Sequence, residues 1–235
     1  MKKLFFVLAL LVFAQSAKAQ LFSKERLANL ETFDNRFLTW GYFLGFNSYD
    51  FKIDYKNDFG DDITDIVVNA ESGFNVGLIG DMRVNRYINL RLEPGLYFTK
   101  RDFEYLVFDE PQDRLRETKS TYIHVPLLVK FSTKRLNNIK PFVVAGISRS
   151  FNLSSNQDNP EDNMQGQFRM TTGTSYYELG FGIDFYLFYF KFSPSIRGVF
   201  ATSDELVRDI DPNSAYTSNI EKLASRGIFI NFTFQ

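Results

Sequence analysis

The stretch Tyr176-Tyr177-Glu178-Leu179-Gly180-Phe181-Gly182-Ile183-Asp184-Phe185-Tyr186-Leu187 decides the fold. Tyr177, Leu179, Phe181, Ile183, Phe185 and Leu187 take one set of alternate positions; Tyr176, Glu178, Gly180, Gly182, Asp184 and Tyr186 take the other. Successive side chains of a strand point to opposite faces, so this segment lies between an apolar environment and a polar or tyrosyl one. Helical spacing would scatter the same residues around a cylinder.

The pattern recurs on both sides. Phe188, Phe190, Phe192, Pro194 and Ile196 alternate with Tyr189, Lys191, Ser193, Ser195 and Arg197, so this strand runs on from the previous one through Tyr186-Leu187-Phe188. Ile88 to Thr99, Tyr122 to Phe131 and Gly227 to Phe234 alternate in the same way. Weaker versions occupy Leu38 to Asn47, Phe74 to Arg83 and Phe142 to Phe151. The count is eight, an even number, as bacterial outer-membrane barrels have.

Connection lengths add a second, independent sign. Short links (84–86, 133–139 and the 186–188 junction) alternate with long polar ones at about 50–73, 102–118, 152–173 and 201–225. Outer-membrane barrels have short periplasmic turns and long extracellular loops. The expected fold is therefore all-β: an up-and-down, eight-stranded antiparallel transmembrane β-barrel.

A lipocalin-like soluble barrel has the reverse arrangement, apolar inside and wet outside. Gly41, Gly45, Gly95, Gly180 and Gly182 share the polar face, where a narrow lumen needs small residues between large charged ones. That favours polar-in, lipid-out. Pro94, Pro126 and Pro194 fall inside the strands and are expected to mark bulges that shift face parity.

At the N-terminus, Lys2 and Lys3 precede the apolar run Leu4 to Ala14 and the small-residue site Ala17-Lys18-Ala19. Residues 1–19 read as a Sec signal peptide cleaved after Ala19, 20–36 as a periplasmic segment with a helical tendency, and 37–235 as the barrel. Losing Lys2, Lys3 and Lys18 with the leader lowers the basic count from 27 to 24, against 28 acids. An acidic balance gives no basis for binding nucleic acid. The absence of cysteine excludes disulfides and thiol chemistry.

The polar face gathers Arg91, Glu93, Arg101, Lys130, Glu178, Asp184, Lys191 and Arg197. Reflection about Leu187 sets Asp184 beside Lys191 and Glu178 near Arg197. Buried opposite charges must pair, so Arg91, Glu93, Lys130, Glu178, Asp184, Lys191 and Arg197 are expected to form a structural charge cluster filling the lumen, not a pore. His124, the sole histidine, has Glu93 as a possible neighbour and no serine motif, and reads as an interior packing residue. Neither Asp58, Asp61, Asp62 and Asp65 nor Asp158, Asn159, Glu161, Asp162 and Asn163 has EF-hand spacing, and both read as solvated loops. No catalytic residue, metal or cofactor is expected.

Several runs resemble the PorT (SprT) family of Bacteroidota outer-membrane proteins. They are Tyr122-Ile123-His124-Val125-Pro126-Leu127-Leu128-Val129-Lys130-Phe131, with Lys134-Arg135 and Lys140-Pro141-Phe142 after it; Glu178-Leu179-Gly180 through Asp184-Phe185-Tyr186 to Tyr189-Phe190-Lys191-Phe192-Ser193-Pro194; and the flanking Gly41 to Asn47 and Asn231 to Phe234. The resemblance implies a non-enzymatic barrel required for type IX protein secretion and, in gliding species, adhesin export. Its partners would be outer-membrane lipid and other secretion-system proteins, with no nucleic acid and no small-molecule substrate. The alternative is a generic OmpX- or OmpA-type barrel serving adhesion or envelope integrity.

Overall fold

The computed structural model describes residues 28–56, 66–106, 108–110, 114–157, 168–211, 214 and 216–235. The expected signal peptide and its cleavage site, and both acidic loop groups, lie outside them.

Ten strand segments follow a single 3₁₀ turn, Phe33–Asn35: β1 Leu38–Tyr55, β2 Ile66–Ala70, β3 Ser72–Arg83, β4 Ile88–Leu92, β5 Gly95–Tyr105, β6 Leu115–Ser132, β7 Ile139–Asn152, β8 Gly173–Tyr186, β9 Lys191–Ala201 and β10 Ile220–Phe234. Every pairing is antiparallel, and β1 pairs with β10 on one side and β3 on the other, so the sheet closes on itself. Two staves of this ring are interrupted, β2 with β3 and β4 with β5, which makes eight staves. Of the helical tendency expected for the N-terminal segment, only the 3₁₀ turn is present among the described residues.

The two interruptions differ. At Glu71 the register slips by one: Ala70 pairs with Arg101, whereas Phe74 pairs with Phe98. That is a bulge, and it moves the inward set from Asn75, Ile79 and Asp81 on β3 to Ile66 on β2. At Glu93-Pro94 nothing slips, since Leu92–Leu127 and Gly95–His124 keep one register. The expected parity shift at this proline does not occur. Pro126 lies opposite, its carbonyl accepting the Glu93 N–H at 3.3 Å. Because a strand residue's N and O point to the same side, the donor Pro126 lacks falls at the break in its partner.

The outer face carries an apolar belt. On β1 it runs Leu38, Trp40, Tyr42, Leu44, Phe46 and ends at Ser48. Nine residues of tilted strand span about 23 Å, the height of a transmembrane barrel's apolar band. Phe46, Phe74 and Phe98 are consecutive cross-strand partners along its upper edge. Trp40, Tyr87, Phe188 and Tyr189 are exposed at the lower edge.

Above the belt the strands continue. Much of three expected loops is sheet: β1 reaches Tyr55, β5 reaches Tyr105, and β6 and β10 begin at Leu115 and Ile220. In this crown an apolar cluster fills much of the interior, beside buried polar groups such as Arg101, Arg116 and Glu205. Phe51, Ile66, Phe103, Tyr105, Ile220 and Leu223 pack with Phe168, Met170, Leu206 and Tyr216 from the β7–β8 and β9–β10 connections.

The turn between β8 and β9 corrects the expected register. Leu187 N–H bonds to Phe190 O at 3.0 Å, closing a four-residue turn that pairs Tyr186 with Lys191 and Glu178 with Val199. The reflection point lies one residue further along the chain than the one read off the sequence, which moves every cross-strand partner by two. Phe188 and Tyr189 prolong the alternation without being strand, and Tyr189 is 93% exposed. Aromatic side chains are at home in the membrane interface, so here an apolar run marks a turn.

Candidate functional site: a filled lumen

All seven residues of the expected charge cluster are buried. They lie in two tiers. In the lower tier, Arg91 donates to Asp81 through Nη2 (2.7 Å) and Nε (3.1 Å), and Lys130 donates to Asp184 at 2.6 Å. Ser193 and Asn89 add hydrogen bonds to Asp184 (2.7 Å) and Asp81 (2.5 Å). In the upper tier, Arg197 donates to Glu93 (2.8 Å) and its Nε lies 2.9 Å from Glu178, off the hydrogen-bond line. Arg91 reaches Glu93 at 3.4 Å and joins the tiers.

The shifted register explains who pairs with whom. Glu178 and Arg197 are diagonal neighbours two positions out of register, within reach of long side chains. Asp184 is bonded to Lys130 and Ser193, while the Lys191 ammonium lies over the Phe33 ring, 4.7 Å from its centroid. Asp81 belongs to the network and was not among the expected members. Its place in the same alternate set as Asn75, Gly77 and Ile79, opposite Phe74, Val76, Leu78 and Met82, is the signal that points inward.

His124 sits between Ser150 and Glu178, with Nδ1 2.5 Å from Ser150 Oγ and Nε2 2.7 Å from Glu178. The partner is Glu178 and not Glu93, and Ser150 stands on another strand with no local motif to announce it. Hydroxyl, imidazole and carboxylate in this order form a nucleophile–base–acid arrangement. The setting is wrong for catalysis. The Ser150 side chain is buried, and the rings of Tyr97, Tyr176 and Phe229 lie 4.9, 5.8 and 5.8 Å from that of His124. Glu178 also neutralises Arg197, so the trio satisfies buried polar atoms and offers no substrate a path.

Above this tier Phe43, Tyr49, Tyr97, Tyr122, Tyr176, Val199 and Phe229 form an aromatic floor under the crown. Gly77 and Gly95 accommodate it: a Cβ on either would lie 2.6 or 2.8 Å from the Phe43 ring. Arg101 is stacked 3.9 Å above Phe51 and donates to Ser225 (2.8 Å) and Tyr122 (2.6 Å).

The periplasmic end is stoppered by the N-terminal segment. Phe33 is buried edge-on against Tyr186, centroids 6.3 Å apart, and Asp34 accepts the Tyr186 hydroxyl at 2.6 Å. Arg135 stacks 3.8 Å over Tyr186 and donates to the carbonyls of Asn29 and Asn137. Stopper, ion tiers, aromatic floor and crown thus fill the barrel from end to end, as the narrow bore of eight staves permits.

No curated protein matches the sequence. Among solved structures, the chain is similar to Neisserial surface protein A (8% identity, 83% of this chain and 97% of that one covered, TM-score 0.46). It is also similar to OprG from Pseudomonas aeruginosa (14%, 83% and 94%, 0.46) and to Ail of Yersinia pestis, solved with the heparin analogue sucrose octasulfate (15%, 83% and 96%, 0.39). Residues 13–207 match the family described as outer membrane protein beta-barrel domain, and the chain belongs to that family.

Proposed function

We propose that this outer-membrane barrel is a sealed, non-enzymatic protein that acts through its extracellular crown, in adhesion or envelope integrity. The observation that carries the reading is the continuous filling of the lumen. Neither solute conduction nor catalysis has a path through buried ion pairs, a closed aromatic floor and a stoppered mouth. What the chain offers its surroundings is a rigid membrane anchor and a folded platform above the bilayer. In planar bilayers the purified chain should give no steady conductance; a stable open channel would overturn the seal.

A second reading, a component of type IX secretion, is favoured by the runs Tyr122 to Phe131 and Glu178 to Pro194. Those runs supply His124, Lys130, Glu178, Asp184 and Lys191 to the lumen, so the need to fill a narrow barrel accounts for them as readily as a shared role does. For that reason the generic reading is preferred. A clean deletion separates the two. The first expects weaker attachment or a leakier envelope with secretion intact, and the second expects loss of secreted cargo together with co-purifying translocon proteins. A deletion strain unchanged in attachment and permeability would sink the first.

A further inference from the structure

The two ends of the barrel handle charge differently. On the outside of the crown, cations pair with carboxylates: Arg226 with Asp50 (2.6 Å), Lys52 with Asp54 (2.9 Å), Arg114 with Glu104 (2.6 Å), and Lys100 with Glu71. At the periplasmic mouth most of the described cations do not. A cavity of about 240 Å³ there is lined by Arg83, Arg86, Lys134, Arg135 and Lys140, and its one carboxylate among the described residues is Asp34.

That carboxylate is already engaged, by the Tyr186 hydroxyl at 2.6 Å and by Lys140 at 3.5 Å. Arg135 is held by neutral carbonyls and by the Tyr186 ring, which fix its position without cancelling its charge. Arg83, Arg86 and Lys134 have no side-chain hydrogen bond or ion pair among the described residues. Among the described residues, four of the five cations therefore converge on one cavity without a counter-charge. Guanidinium and ammonium groups set around a cavity are the chemistry that binds phosphate and carboxylate.

Position selects between anions. The cavity opens between the β3–β4 and β6–β7 turns, level with the lower edge of the apolar belt. The same turns expose Val84, Tyr87 and Leu136, which are 61%, 49% and 51% accessible. Apolar and aromatic side chains on membrane-interface turns lie among acyl chains and headgroups. A phosphate in the cavity could thus belong to a molecule whose tails run down past these residues. A cationic site beside an acyl-chain surface is how proteins recognise anionic lipid headgroups.

We propose that the periplasmic mouth binds the phosphate of an anionic phospholipid from the inner leaflet of the outer membrane. Arg83, Arg86 and Lys134 contact the phosphate, and Arg135 is the fixed wall of the site. The bound lipid would supply the charge the mouth lacks and tie the N-terminal stopper to the bilayer.

Native mass spectrometry of the detergent-purified full chain tests this. Phosphatidylglycerol or phosphatidylcholine is added in one arm, inorganic phosphate in a second and a hexaglutamate peptide in a third. The wild type should retain phosphatidylglycerol over phosphatidylcholine. The variant R83Q/R86Q/K134Q should lose that preference by roughly a hundredfold, the order expected for three cations at a headgroup site, while its heat-modifiable gel shift stays normal. The variant R226Q/K222Q, at the opposite end, should bind like wild type. Equal retention by wild type and the triple variant overturns the site. Binding of inorganic phosphate without phosphatidylglycerol overturns the lipid source, and binding of hexaglutamate alone would assign the mouth to an acidic peptide instead. A triple variant that fails to fold is replaced by R86Q alone, an exposed turn residue, for which about a fivefold loss is expected.

Discussion

The membrane-spanning half of this barrel and its extracellular crown are inside-out versions of each other, built on the same strands. Along β1 the inward positions run Phe43, Gly45, Asn47, Tyr49 and then Phe51, Ile53 and Tyr55; the outward positions run Leu44 and Phe46 and then Ser48, Asp50, Lys52 and Asp54. On β5 the inward series is Tyr97, Thr99, Arg101, Phe103, Tyr105, while the outward series passes from Leu96 and Phe98 to Lys100, Asp102 and Glu104. Side-chain parity is unchanged on these strands; the solvent is not. Below, lipid demands apolar residues outside, and the enclosed polar groups must satisfy one another. Above, water solvates the outside, and along β1 and β5 the enclosed side chains turn largely apolar, with Arg101 and Arg116 buried among them.

This contrast can be broken by experiment. The largest effect is expected for Arg197→Ala, which leaves Glu93 and Glu178 without their shared partner. Breaking a buried pair costs about 3–5 kcal/mol, to be read from urea titrations scored by heat-modifiable migration. A cost under about 1 kcal/mol, the value for a solvated pair, would mean that water reaches the lumen. Phe103→Ala should cost about 3 kcal/mol by opening a cavity among buried rings. That loss should appear as protease sensitivity of the crown while the membrane half keeps its gel shift; collapse of both together would show the two regions to be one cooperative unit.

Leu179→Arg, on the lipid face, should cost about 2–4 kcal/mol, and Ser48→Arg, just above the belt, about 0–1 kcal/mol. Equal costs would misplace the level at which the outer face changes solvent. The smallest effect is pH-dependent. Burial raises the pKa of Glu205 above the ordinary carboxylate value, against the opposing pull of Arg101 and the Ser225 hydrogen bonds. A carboxyl raised in the folded state gives its full stabilisation below the unfolded pKa and loses it as pH climbs through the folded one. The crown should therefore resist protease better near about pH 5 than near about pH 8, and Glu205→Gln should flatten that difference.

The alternation in Tyr176 to Leu187 is enough to read β8 and its two faces, because period-two patterning is a local property. The spacing of short and long links is enough to orient the barrel. The crown escapes that reading for a physical reason. Residues such as Lys52, Asp54, Asp102 and Glu104 look like loop, since the sign of the pattern reverses where lipid gives way to water, and a reversed strand resembles no strand at all. The turn at Phe188 and Tyr189 fails in the opposite way, looking like strand because the interface welcomes aromatic turns. Ser150 is silent because its meaning depends on His124, the residue that strand pairing sets directly beside it.

By itself the sequence determined that the chain is a closed sheet with lipid outside and charge inside, since those follow from the period and polarity of each strand. The tertiary structure alone decided the pairings: Glu178 with Arg197 and His124, Lys130 with Asp184, and cations left without a counter-charge around the periplasmic mouth. Ion pairs form across distances in space that have no fixed relation to distance along the chain, and a turn misread by one residue moves every cross-strand partner by two.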